Sequence, residues 1–157
     1  MLAPATAQGA GDCKLKKGGQ GRVVEVVDGD TVMLADGRQV RLVGTQAPKL
    51  PLGRKGYKAW PLGQQSKAAL SDLVAGKRVE LRYGGLRQDR YGRQLAHLFV
   101  IDAQPPRWVQ GEMISAGMAR TYSFRDNRAC VRTLQTREAA ARRAGLGIWS
   151  LDYYAIR

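Results

Sequence analysis

Histidine and cysteine are nearly absent from this 157-residue chain, which has His97 alone and two cysteines, Cys13 and Cys130. That set cannot furnish the four Cys/His ligands of a structural zinc, so zinc is excluded. Long apolar runs are missing too. No stretch approaches the roughly 18 residues of a membrane helix, and no membrane insertion is expected. Acidic residues are scarce: 13 Asp and Glu stand against 26 Lys and Arg, for a net charge of +13. Such a balance favours polyanionic partners, nucleic acid or an anionic surface. There is no run of about five or six like charges, so the cations belong to folded elements and not to a basic tail.

The first ten residues (MLAPATAQGA) are small but lack an apolar centre, and they resemble the small-residue end of a signal peptide. Residues 1–20 are therefore read as an N-terminal lead, the remnant of a signal, and the protein as exported, periplasmic or secreted. In an oxidising compartment Cys13 and Cys130 would close a very long loop, worth ~4 kcal/mol on the chain-entropy model. Two unrelated buried thiols are the alternative.

What is present is strand grammar. The length supports one hydrophobic core and one domain. Nineteen glycines and six prolines punctuate short Val/Leu-rich runs, which points to an α+β architecture. Arg22 to Val27, Thr31 to Ala35 and Arg38 to Gly44 are β-branched runs divided by Asp-Gly turns, a three-stranded meander. Leu62 to Ala75 carries Leu62, Ala69, Leu70, Leu73 and Val74 on one helical face, with Gly76 as its stop. Lys77 to Tyr83 and Gln94 to Val100 alternate again and complete a five-stranded barrel. A short helix is expected over Val109 to Ala116, and a longer one from an Asn127 N-cap to about Ala144. This makes about three helices.

The chemistry gathers in three stretches. Asp28 and Asp30 (DGDT) lie at a hairpin bend where two carboxylates can reach one hard cation, although Asp-Gly-Asp alone is an ordinary turn. Arg41 in the third strand and Arg93 at the end of DRYGR offer planar forks suited to phosphate. Residues 49–63 interleave Lys49, Arg54, Lys55 and Lys58 with Tyr57 and Trp60. That composition makes either a stacking platform for single strands or a loop packed on the barrel by Trp60 and Pro61. His97, inside a strand, reads as a core or surface imidazole and not as a catalyst.

Taken together, VVDGDTV, VRLVGTQAP, DRYGRQLA, GMARTY and the closing GIWS resemble the staphylococcal nuclease, or thermonuclease, family. The likeness runs from about Arg22 to Ser150, most of the chain. It implies an OB-fold barrel carrying helices over 21–157, and calcium-dependent cleavage of DNA or RNA. By that resemblance Asp30 is a metal ligand, Asp28 a nearby acid, and Arg41 and Arg93 the phosphate-stabilising arginines. Asp89, Arg90 and Tyr91 form the binding loop. Tyr91 and Tyr122 line the nucleotide pocket, and Phe124 stands where a second tyrosine is common. The resemblance also implies a partner, DNA or RNA, taken as single-stranded and bound without sequence specificity by a monomer.

The departures fall together. Where the family reads Asp-Thr/Ala-Pro-Glu, this chain has Gln46, Ala47, Pro48 and Lys49, so a ligand carboxylate becomes an amide and the general-base position becomes a lysine. Charge near the expected calcium rises by three units, and each unit pair at about 4 Å is worth roughly 4 kcal/mol at a surface-like dielectric. A lysine at its ordinary pKa near ~10.4 has no lone pair to accept a proton. Three readings stand: a nuclease, a non-catalytic nucleic-acid-binding module on the nuclease fold, and a basic protein-interaction domain.

Overall fold

The computed structural model describes residues 13–155; the signal-like first ten residues lie outside them. Strand β1 (Lys16–Asp28) is long enough to pair on both sides of itself. Its second half runs antiparallel to β2 (Thr31–Leu34), and its first half runs antiparallel to β5 (Arg78–Tyr83), with Lys16 opposite Tyr83. Register shifts between Lys17 and Gln20 and between Val23 and Glu25 mark the bulges that let one strand turn the corner. Gly18 is required inside that bend, because a Cβ there would collide with the Tyr83 ring. The strand thus reaches back into the segment read from sequence as a lead.

The sheet then closes. Strand β2 pairs antiparallel with β3 (Gln39–Leu42), β3 runs parallel to β6 (Gln94–Val100), and β6 runs antiparallel to β5. The result is a closed five-stranded mixed barrel, with two-residue additions at β7 (Arg107–Trp108) beside β6 and β4 (Thr45–Gln46) beside β8 (Arg120–Thr121). Alternation sends Val32, Leu34, Val40, Leu42, Val79 and Leu81 inward, all at or near zero exposure.

Three helices cover the barrel: α1 (Gly63–Val74), α2 (Val109–Ser115) and α3 (Val131–Ala144). Helix α1 buries Ser66, Leu70 and Val74 and packs Ala69 and Leu73 partly buried against the core, so four of the five expected apolar positions face the barrel and Leu62 is not part of the helix. Leu62 sits before the helix in a left-handed conformation at φ 66°. Helix α3 starts four residues later than the Asn127 cap proposed from sequence. Asn127 instead donates its amide to the Leu86 carbonyl at 2.7 Å, holding the 84–93 loop, and Cys130 precedes the helix. A disulfide joins Cys130 to Cys13. No helix among the described residues is long and apolar enough to cross a membrane.

Two buried polar side chains fix the barrel end nearest the site. Gln110 donates to the carbonyls of Val43 (3.1 Å) and Ala96 (2.9 Å) and accepts from the Leu98 amide at 3.1 Å, pinning the parallel β3–β6 seam. His97 accepts from the Trp108 indole at 3.2 Å, and burial drives its pKa down to about 4. It is a neutral core imidazole.

Candidate functional site

The DGDT turn joins β1 to β2. Asp28 caps it by accepting the Asp30 amide at 3.0 Å. Asp30 is 8 % exposed and fully engaged: one oxygen takes the Thr31 hydroxyl at 3.2 Å, the other takes the Ala47 amide at 2.9 Å and faces Arg41 at 3.6 Å. One carboxylate therefore ties the first hairpin to the turn after β4.

Arg41 points outward because Val40 and Leu42 on either side point in. Pairing of Thr31 with Arg41 across the β2–β3 ladder brings its guanidinium beside Asp30. It also donates to the carbonyls of Leu42 and Thr45, the latter at 2.8 Å. Arg93 is held in the same manner at the mouth of β6: Asp89 accepts its Nε at 2.7 Å and its amide at 2.9 Å, and accepts the Tyr91 amide as well. Burial works to raise the Asp89 pKa, yet these Arg93 and backbone hydrogen bonds hold it below the usual carboxylate value. Arg90 donates to the Tyr91 hydroxyl at 2.7 Å, and the Tyr91 ring stands 70 % exposed.

One open cavity of about 400 Å³ is bounded by Asp28, Asp30 and Arg41 on the barrel side, by Gln46, Lys49 and Arg54 on the loop side, and by Tyr91 and Arg93 at the rim, with Asp89 and Arg90 outside its lining. Four cations face two carboxylates. Burial and the neighbouring Asp30 charge raise the Asp28 pKa to about 7, against a smaller pull from Arg41. One of the two anions is thus half neutralised near neutrality.

Calcium needs six to eight oxygens, most of them free of competing donors. The residues present do not fit it. Gln46 Oε1 already accepts two N–H groups from Arg120, at 2.8 and 2.5 Å, and Asp30 Oδ2 is shared between the Ala47 amide and Arg41. No cluster of three or more Asp, Glu, His or Cys that could hold a metal exists among the described residues. With Lys49 also lining the cavity, the arrangement favours anions.

Arg120 is the residue the sequence reading missed. It lies 74 positions from Gln46 and reaches it only because β8 pairs with β4, opposite Gln46 itself. Its guanidinium also stands over the Trp60 ring at 5.7 Å, with Lys49 over the same ring at 5.8 Å. Trp60 is half-buried there and meets Tyr153 at 6.3 Å. Tyr154 bonds the Pro61 carbonyl at 2.6 Å, so this end of the loop is packed down. Lys55 and Lys58 are exposed on the loop outside the cavity lining. Tyr122 is likewise outside that lining and meets Phe124 edge-on at 5.0 Å.

A barrel closed through a bulged first strand, with an acidic turn and two arginines at one mouth, is a nuclease architecture, and the chain belongs to the family of staphylococcal nuclease homologues, whose profile matches residues 39–151. Among curated proteins it is 35 % identical over 133 residues to an uncharacterized endonuclease of Escherichia coli O157:H7, covering 83 % of this chain and 76 % of that one. It is 32 % identical over 145 residues to Protein ParB of Escherichia coli (87 % and 75 % covered). It is 26 % identical over 137 residues to a thermonuclease of Staphylococcus hyicus (82 % and 75 % covered).

Proposed function

We propose that this protein binds single-stranded DNA or RNA, without sequence preference and as a monomer, by taking backbone phosphate into the cavity at Arg41 and Arg93, and that it lacks calcium-dependent hydrolysis. The observation that carries this reading is the lining itself: Arg41, Lys49, Arg54 and Arg93 against Asp28 and Asp30, with Gln46 already bonded to Arg120. A site with that balance attracts phosphate and repels a divalent cation. A cavity of about 400 Å³ has room for a backbone phosphate, and the exposed Tyr91 beside it offers a stacking face for an unpaired base. The names of the relatives, endonuclease and thermonuclease, support nucleic acid as the partner. The Cys13–Cys130 disulfide supports an oxidising setting, periplasmic or secreted.

A second reading rests on Asp28, whose pKa near 7 suits a proton acceptor for water in metal-free cleavage. The neighbouring acids Asp30, Asp36 and Asp89 are paired with Arg41, Arg38 and Arg93 respectively. Incubation with heat-denatured DNA in calcium and in EDTA tests both. The primary reading expects retention of the strand and no shortening under either condition. Calcium-dependent shortening lost on Arg41→Ala overturns it, and EDTA-resistant shortening lost on Asp28→Asn establishes the second reading in its place.

A further inference from the structure

Two further cavities continue the first one around the barrel. The nearer, about 480 Å³, shares Tyr91 and Arg93 with the phosphate cavity and adds Arg38, Gln39, Gln88 and Gln94. Its single acid, Asp36, is already paired to Arg38 at 2.8 Å. The farther, about 380 Å³, is lined by Lys14, Lys16, Arg87, Tyr83 and a Gly84–Gly85 pair, with no carboxylate in its wall. Tyr83 and Gln94, one from each of these two cavities, are joined by a hydrogen bond of 2.6 Å.

The barrel register gives the distance. Arg41 lies beside β6, β6 beside β5, and Tyr83 of β5 faces Lys16 of β1. Three inter-strand steps separate Arg41 from Lys16, roughly 14 Å measured along the backbone of the barrel wall and longer over the side chains outside it. The arm bearing Lys14 and Lys16 is held in place on both sides, by the Cys13 disulfide before it and the β1–β5 ladder after it. Arg87 is stacked over the Tyr83 ring at 4.5 Å. These cations are positioned groups and not a loose basic tail.

We propose that Lys14, Lys16 and Arg87 form a second phosphate site, and that one strand of nucleic acid runs from the cavity at Arg41, past Tyr91 and Arg38, into it. This rests on the proposed function and extends it: the protein reads strand length, gripping a polynucleotide at two stations and an oligonucleotide of a few residues at one. One exposed tyrosine, Tyr91, between two basic stations gives a single strand a stacking face midway and phosphate contacts that carry the salt dependence.

The test is fluorescence anisotropy with labelled oligothymidylates of about 3 and about 12 nucleotides, lengths bracketing the small end of single-strand sites. The triple variant Lys14→Glu, Lys16→Glu, Arg87→Glu is expected to bind the long strand at least tenfold more weakly and the short one unchanged. Its log–log salt slope for the long strand should fall by about 2, three contacts at ~0.7 each. The milder Lys14→Gln, Lys16→Gln, Arg87→Gln variant should shift both in the same direction and guards against misfolding, checked by circular dichroism. Long-strand affinity and slope equal to those of the unaltered protein overturn the track. Loss of neither strand on Arg41→Ala, Arg93→Ala overturns the cavity reading itself, a separate outcome.

Discussion

The two walls of the cavity at Arg41 and Arg93 are built differently. On the barrel wall, Asp30 and Arg41 are held by backbone partners at every turn: the Ala47 amide, the Leu42 and Thr45 carbonyls, and the β2–β3 register. On the loop wall, backbone pairing of Gln46 with β8 and the Trp60 amide on the Lys49 carbonyl hold the chain, but the Gln46 and Lys49 side chains themselves meet only other side chains, Arg120 and the Trp60 face. A wall welded to the barrel keeps its chemistry because altering it would cost the fold. A wall made of side-chain contacts can exchange an acid for an amide or a cation with little structural penalty. The difference explains how residues 46 and 49 can depart from the family's carboxylates without disturbing the barrel.

That contrast can be broken most forcefully through stability. Asp30→Ala removes the partly buried counter-charge of Arg41 and the acceptor of the Ala47 amide, and is expected to destabilise the fold by about 3 kcal/mol, whereas Lys49→Ala should stay within about 0.5 kcal/mol, both by denaturant titration. Equal losses would erase the distinction between the walls. Binding sharpens it in the opposite direction: Lys49→Glu changes the cavity by two charge units and should weaken a short oligothymidylate about thirtyfold, with stability unmoved. Arg93→Ala, at the rim, removes a charge-assisted donor and should weaken the same ligand about tenfold.

The smallest effect is a pH dependence. Below about 7 Asp28 loses its charge, so affinity for phosphate should rise severalfold as pH falls from about 8 to about 6, and Asp28→Asn should flatten the curve. The same shift has a stability sign. The folded pKa near 7 lies above the 3.8 of the free group, so the folded state holds more protons in that window. The Asp28 contribution is then complete at low pH and is lost as pH rises through about 7.

Much of this was legible beforehand. Strand β6 begins and ends where the run QLAHLFV places it, and both Asp-Gly turns mark hairpins, the second through a glycine at positive φ, 90° at Gly37. Residues 16–21 (KKGGQG) have no strand signature and are a strand only because β5 lies beside them, tertiary pairing overriding local propensity. Asn127 looked like a helix cap, but the same amide chemistry serves a neighbouring loop. The acid-to-amide and acid-to-lysine exchanges at Gln46 and Lys49 could be read directly. Their consequence could not, because Arg120, which occupies the Gln46 oxygen, comes from a strand 74 residues away. The tuck of Trp60 beneath Lys49 and Arg120 is of the same kind, a contact between distant segments.

The most direct test of an anion-selective cavity is calorimetric titration of calcium into the protein and into its Gln46→Asp, Lys49→Glu, Arg120→Leu variant, each followed by digestion of heat-denatured DNA. Arg120 must go too, since it would otherwise pair with the restored carboxylate. The account predicts no calcium binding and no digestion by the unaltered protein, with calcium binding gained by the variant. Calcium bound by the unaltered protein together with calcium-dependent digestion would contradict it.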